Sequence, residues 1–315
     1  MSSVSMSVAD LVADAHAHAH HDLSALTCLP SIATPRVALM GVSLADWSNV
    51  ESATRLLGPH RAIPCFGIHP WWAHLHATRA CPDRLHCFAT RRGDRLGEGA
   101  ISAVDPETVR ALSLEDAVPR DVWEGGLRAR LTRYPGAVVG ELGLDRSAVL
   151  PGTRWLTRLE HQMELVDTQL DIATTYNRPV SIHCVQAHGA LLDLLNRRGG
   201  DCLPPKVMLH AYGGSREMIR RLLALPDGVG ERIYFSFNQV IQLAKQDVVL
   251  GRIAAVPDDR VLAESDQTHV DRVDVGMEAS VALIAAAKGW RVEEATQRLQ
   301  QNFDKFYDGC HGEEA

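Results

Sequence analysis

The segment Asp14-Ala-His16-Ala-His18-Ala-His20 places an ionisable side chain at every second position. In an extended strand, residues two apart point the same way, so these four would share one face while the alanines took the other. Four such groups turned inward would be costly to bury unless something organised them. A divalent cation would do so, because two imidazoles two residues apart can reach one ion. The competing explanation is an exposed, His-rich terminus with adventitious metal affinity. Four more residues bear on the choice. Glu141 interrupts Val138-Val-Gly-Glu-Leu-Gly-Leu-Asp145, where a lone carboxylate is expensive unless paired or metal-bound. His183 follows Val-Ser-Ile, His210 follows Val-Met-Leu, and Asp266 closes Val-Leu-Ala-Glu-Ser-Asp. His16, His18, Glu141, His183, His210 and Asp266 thus form a set that suits two divalent ions better than one tetrahedral ion, which would leave ligands unused.

These residues sit late in short apolar runs, and the runs define the framework. Eight recur: Leu11–His18, Arg36–Ser43, Ala62–His69, Ala137–Asp145, Pro179–Val185, Lys206–Gly213, Arg232–Asn238 and Arg260–Asp266. Helix-like stretches lie between them, including Trp155–Tyr176, with a Leu156, Leu159, Met163, Val166 and Leu170 stripe, and Glu217–Leu225. Strands alternating with helices imply parallel pairing, and eight units imply a closed (β/α)8 TIM barrel, whose active site is built from the C-terminal strand ends. The alternative is an open doubly wound sheet, but no GxGxxG turn follows the first strand. The expected organisation is one barrel over residues 1–315, with an insertion or lid at about 70–120 that is rich in Arg, Asp, Gly and Pro.

Composition bounds the function. The chain has 315 residues, 46% hydrophobic and 23% charged, with a formal charge of −7, which argues against a broad basic face for duplex DNA. It carries 15 His against 5 Tyr and 6 Phe, and His is the commonest metal ligand. Seven scattered cysteines without a CxxC pair point to reduced thiols. The N-terminal stretch lacks a basic segment followed by a long apolar one, and the run around Val281–Ala287 is too short for a membrane span. A cytoplasmic or nuclear protein with no membrane association is expected.

The ordered set Asp14-Ala-His16-Ala-His18, Gly67-Ile-His69-Pro, Gly140-Glu141-Leu-Gly-Leu-Asp145, Pro179-Val-Ser-Ile-His183, His210-Ala-Tyr-Gly-Gly-Ser215 and Glu264-Ser-Asp266, with Gln169-Leu and Asn302-Phe, resembles the TatD family of metal-dependent hydrolases. That family belongs to the amidohydrolase-like barrels, and the likeness is greater to its eukaryotic branch, which includes the cut9-interacting proteins. The resemblance implies a first metal held by His16, His18, Glu141 and Asp266, and a second by Glu141, His183 and His210. It also implies catalytic roles for Glu141 and Asp266, with Asp266 orienting the water and taking its proton, and a substrate or oxyanion contact at His69. The pair His18 and His20 is a rival register, but only His16 and His18 keep Asp14 two residues upstream. Four positions depart from the family pattern: Val185 stands where an arginine is usual, Trp71 where a histidine is common, Ser265 for threonine, and Thr268 for proline.

The activity implied is phosphodiester hydrolysis at nucleic-acid ends, with DNA among the substrates and two divalent ions (Zn, Mn or Mg) as cofactors. Trp71 and Trp72 could stack on a base or anchor the long loop, and His74 and His76 read as solvated lid residues. Arg91, Arg92 and Arg95 could meet phosphates or remain a solvated surface. The alternatives are a small-molecule amidohydrolase or lactonase using the same metal centre, and an interaction protein that binds a partner through the insertion.

Overall fold

The computed structural model describes residues 7–91, 101–111, 116–239 and 246–315. In chain order the elements are β1 (Asp14–Ala17), β2 (Val37–Met40), α1 (Trp47–Leu57), β3 (Ala62–Phe66), β4 (Phe88–Arg91), β5 (Ile101–Ala103), α2 (Pro106–Ala111), α3 (Arg120–Arg133), β6 (Val138–Asp145) and β7 (Trp155–Thr157). They continue with α4 (Leu159–Thr175), β8 (Val180–Val185), α5 (His188–Arg198), β9 (Val207–Leu209), α6 (Arg216–Leu223), β10 (Ile233–Phe237), α7 (Gln246–Ala255), β11 (Val261–Ala263), α8 (Val273–Lys288) and α9 (Val292–Phe306).

Eight parallel strands form one sheet in the order β1-β2-β3-β6-β8-β9-β10-β11. Its two ends meet through backbone bonds from Asp266 N–H to the His16 carbonyl and from His18 N–H to the Gln267 carbonyl, both 2.9 Å. Asp14 adds to this seam, accepting from Ser265 N–H at 2.9 Å and from the Ser265 hydroxyl. The eight expected runs therefore supply the eight strands of a nearly closed TIM barrel. Strands covered on both faces must be apolar on both, which is why they read as continuous Val, Ile and Leu runs.

The interior below the site is filled by Ala15, Met40, Cys65, Val138, Met208 and Leu262, and α9 plugs the bottom with Phe303, Phe306 and Tyr307. Burying each of these aromatics removes about 1.5–3 kcal/mol of apolar exposure. Tyr307 also donates its hydroxyl to the Ala15 carbonyl at 2.5 Å, and Asn302 donates to the Val261 carbonyl at 2.9 Å, fixing α9 to β1 and β11.

Three local features differ from the sequence reading. Strict alternation fails in β1: Asp14 pairs with Val37 but Ala17 with Leu39, so one extra residue is accommodated there. Ala15 then packs in the barrel interior while Ala17 joins the layer outside it. A similar shift falls between Val139 and Leu142 in β6, at Glu141. Bulges next to a site re-aim side chains. Second, Trp155–Thr157 is a strand and not the first turn of a helix: it pairs antiparallel with β4, and the Trp155 ring lies 5.4 Å from that of Phe88. Third, β4, β5 and β7 form a separate antiparallel sheet over a small apolar cluster of Cys81, Cys87, Phe88, Val104 and Val109. The insertion thus contains ordered elements, and His74 and His76, expected to be solvated, are buried. Arg92 and Arg95 lie outside the described residues.

Candidate metal centre

The C-terminal ends of β1, β3, β6, β8, β9 and β11 converge on the Glu141 carboxylate, which is 2% exposed. Its two oxygens divide the histidines. Oε2 lies 3.2 Å from His18 Nε2 and 3.4 Å from His16 Nε2. Oε1 lies 2.7 Å from His210 Nε2, 3.1 Å from His183 Nδ1 and 3.2 Å from His69 Nε2. Asp266 approaches the first group, with Oδ1 3.6 Å from His18 Nε2 and 3.9 Å from His16 Nε2. All six expected ligand residues and His69 therefore meet in one place.

Two glycines permit this convergence. A Cβ on Gly67 would stand 2.6 Å from the Glu141 carbonyl, and one on Gly143 would collide with the His183 carbonyl, so β6 could not approach β3 and β8 as it does. Asp266 adopts φ +54°, a left-handed conformation that is uncommon outside glycine and that turns the chain just after β11.

Partners behind the rings decide which nitrogen faces the centre. His18 donates Nδ1–H to the Met40 carbonyl at 2.8 Å, leaving Nε2 as the free lone pair. His183 donates Nε2–H to Asp145 Oδ2 at 3.3 Å, leaving Nδ1. His16 Nδ1 pairs with the Ser181 hydroxyl at 3.0 Å. His210 is the exception: its buried Nδ1 has no hydrogen-bond partner, with Glu264 Oε1 at 3.9 Å, and Glu264 is itself anchored by Ala211 N–H at 2.8 Å and Asn238 at 2.9 Å. Such backing partners fix ring orientation and raise ligand basicity. His69 differs. Its Nδ1 accepts from Trp71 N–H at 3.1 Å, so in the neutral ring the proton is on Nε2, the atom facing Glu141. Burial holds His69 neutral, with its pKa lowered to about 4. In this tautomer it presents a hydrogen-bond donor to the centre, although a ring nitrogen of His69 also lies within 4.8 Å of ligand-type atoms of Glu141 and His183.

The charge balance favours a cation. Burial would raise the Glu141 carboxyl, but His69, His210 and His16 override it and hold the group well below the usual carboxylate range. Against burial, Glu141 and neighbouring carboxylates push His18, His183 and His210 upward. Asp266 moves the other way, raised to about 7 by burial and by repulsion from Glu264 and Glu141. Burial instead holds His16 neutral, its pKa lowered to about 3, so the cluster draws protons to some of its imidazoles and crowds its carboxylates, and positive charge is stabilised on the His18, His183 and His210 side. Three ligand atoms, one each from His16, His18 and Glu141, lie within 4.8 Å of one another, and the same holds for His16, His210 and Glu264. Imidazole with carboxylate suits zinc or manganese, so the residues present fit a divalent metal.

Trp71 lies beside His69, the rings 5.2 Å apart, and it is 57% exposed while donating Nε1–H to Asp145 Oδ2 at 2.7 Å. The tether to Asp145 agrees with the anchoring reading of this residue, and the ring face is left exposed. His20 leaves the centre: it lies in a short 3-10 turn (Ala19–His21) and pairs with Asp46 at 3.2 Å, so the rival His18 and His20 register does not form the site around Glu141. Asp145, Glu264 and Ser181 were not given roles by sequence reasoning. Asp145 had a signal, since Glu141, Gly143 and Asp145 alternate along β6; Glu264 and Ser181 had none beyond their proximity to motif residues.

A parallel barrel that gathers imidazoles and carboxylates at its C-terminal strand ends has the architecture of the metal-dependent hydrolases. Within that class the chain belongs to the TatD related DNases, whose family profile matches residues 13–308. It is similar to the Cut9-interacting protein scn1 of Schizosaccharomyces pombe, 26% identical with 94% of this chain and 98% of that protein covered. It is also similar to the uncharacterized deoxyribonuclease YMR262W of Saccharomyces cerevisiae, 25% identical over 83% of this chain and 87% of that one. Among solved structures, the TatD homologue YjjV of Escherichia coli superposes with a TM-score of 0.62 at 18% identity, covering 95% of this chain and 98% of that chain, and so shares the fold.

Proposed function

We propose that the chain is a two-metal phosphodiesterase acting on nucleic-acid ends. His16, His18, Glu141 and Asp266 would hold one divalent ion, and Glu141, His183 and His210 the other. The observation that carries this reading is the division of Glu141: each oxygen faces its own set of ring nitrogens, at 3.2 and 3.4 Å on one side and 2.7 and 3.1 Å on the other. When bound, the ions would lower the pKa of a water toward ~7 and offset charge developing on phosphoryl oxygens.

The remaining work belongs to the protein. Asp266, placed over the His16 and His18 side, would orient the attacking water and accept its proton. His69 would donate Nε2–H to an oxygen of the phosphoryl group, and its contact with Trp71 N–H keeps the proton on that nitrogen. Trp71 presents an exposed ring beside His69, and a stacked base would contribute about 1–3 kcal/mol there. Next to Asp145 in sequence, Arg146 lines a cavity of about 220 Å³ with Leu156, Thr157, Arg158 and Glu160; Glu160 pairs with Arg158 at 3.5 Å, and Arg146 is the candidate contact for a following phosphate. A relative named as a deoxyribonuclease agrees with this substrate class. All seven cysteines are free thiols, which agrees with a reducing compartment such as the cytoplasm or nucleus, and no helix among the described residues is long and apolar enough to cross a membrane.

The test uses purified protein stripped of metal and reloaded with Mg²⁺, Mn²⁺ or Zn²⁺, offered single-stranded DNA, 3′-recessed DNA, and a panel of amides and lactones. Nucleotide release that disappears in Glu141→Ala supports the proposal. Metal-dependent turnover of amides or lactones alone refutes it and selects the small-molecule alternative.

A further inference from the structure

Beside the main centre lies a second group of metal-type ligands that the proposed mechanism leaves unused. His20 and His21 end the short turn after β1, and Asp46 stands at the N-terminus of α1. The two imidazoles converge on the two oxygens of one carboxylate: His20 Nε2 to Oδ2 and His21 Nε2 to Oδ1, both 3.2 Å. Asp46 is fixed from behind by Val42 N–H, which donates to Oδ2 at 2.8 Å. The His20 side chain is fully buried, and its Nδ1 has no hydrogen-bond partner. A ring nitrogen on each of His18, His20 and His21 lies within 4.8 Å of the other two. His18 cannot belong wholly to this group, because its Nδ1 is engaged by the Met40 carbonyl and its Nε2 faces Glu141. It instead stands between the groups, its ring stacked on His21 at 5.4 Å.

We propose that His20, His21 and Asp46 form a separate site for a divalent cation of the zinc class, next to the Glu141 centre and distinct from it. Two imidazoles and one carboxylate match the donor preferences of such an ion and leave coordination positions open for water or an anionic oxygen. Only the His21 side offers access, since its side chain is 34% exposed while those of His20 and Asp46 are 0% and 9%. The ion would enter there, and an anion reaching it would lie one imidazole, that of His18, away from the main centre. The Asp46 contacts use Nε2 of both rings and leave the buried His20 only half satisfied, its Nδ1 being without a hydrogen-bond partner.

The test is equilibrium dialysis of the untagged full-length chain against Zn²⁺, followed by elemental analysis, for the wild type, His21→Ala and Glu141→Gln. His21 is partly exposed, so His21→Ala should keep its fold, which thermal melting checks; Asp46→Asn is a second variant that retains an acceptor for Val42 N–H. Loss of one Zn²⁺ per chain in His21→Ala and in Asp46→Asn supports the proposal. Equal zinc content in the wild type and both variants overturns it. Glu141→Gln separates this result from the main reading: it should lose ions that His21→Ala retains, and unchanged zinc in Glu141→Gln would contradict the Glu141 centre without bearing on His21.

Discussion

Replacing Asp145 by asparagine should weaken metal binding without touching a ligand. Asp145 Oδ1 accepts three bonds, from Ser147 N–H and the Ser147 hydroxyl at 2.6 Å and from Ala148 N–H at 3.1 Å. Oδ2 accepts from Trp71 Nε1–H at 2.7 Å and His183 Nε2–H at 3.3 Å. An asparagine has one acceptor oxygen, and three donors demand it on the Ser147 side. Its NH2 group must then face Trp71 and His183. Facing a donor, His183 is driven to the tautomer with the proton on Nδ1, the atom 3.1 Å from Glu141, and a protonated nitrogen cannot ligate. Partners of this kind are worth about 10–100-fold in metal affinity, or about 1.4–2.7 kcal/mol. Zn²⁺ competition against a chromophoric chelator reads the affinity, and nitrogen NMR of the imidazoles reads the tautomer. Trp71→Phe removes the other donor alone and should leave affinity close to wild type. Unchanged affinity in Asp145→Asn, with His183 still protonated at Nε2, would refute the reasoning.

Two further outcomes follow from the same geometry. His69→Ala should lower kcat on the order of 10²-fold while bound metal stays constant, because Nε2 carries a proton and donates; loss of metal in this variant would make His69 a ligand instead. Acid should loosen the insertion: His76 is buried, its Nδ1 donates to the Trp72 carbonyl, and burial lowers its pKa from 6.5 to about 4. The unfolded chain binds that proton first as pH falls, so this contribution to stability is complete above pH 6.5 and declines between 6.5 and 4, by on the order of 3 kcal/mol. Protection factors over residues 70–91, corrected for the slower intrinsic exchange in acid, should fall from pH 7 to pH 4.5, and equal protection at both would count against it.

How much of this was legible in the sequence depends on the range of the interaction that fixes each feature. The eight strands were visible because burial on both faces imposes continuous apolar runs, a local signature. The proposed ligand residues were visible because they break those runs at their ends. The bulges in β1 and β6 were not, since they arise from how the barrel closes: Asp14 is drawn to Ser265, 251 residues away, and His20 to Asp46, so four residues that alternate in sequence serve three different partners. β7 was hidden for a similar reason. Leu156 continues the apolar stripe of α4, and only pairing with Ala89 across the insertion makes it a strand. His74 and His76 alternate with Ala73, Leu75 and Ala77, and His74 packs beside Phe88 from later in the chain, a contact that periodicity cannot report.

The central claim is that the Glu141 carboxylate stands between two divalent ions. Anomalous diffraction at the zinc or manganese edge, on crystals of metal-loaded protein, tests it most directly. The account predicts two peaks flanking Glu141, one among His16, His18 and Asp266 and the other among His183 and His210. A single ion, or ions that leave Glu141 without a metal contact, would contradict it.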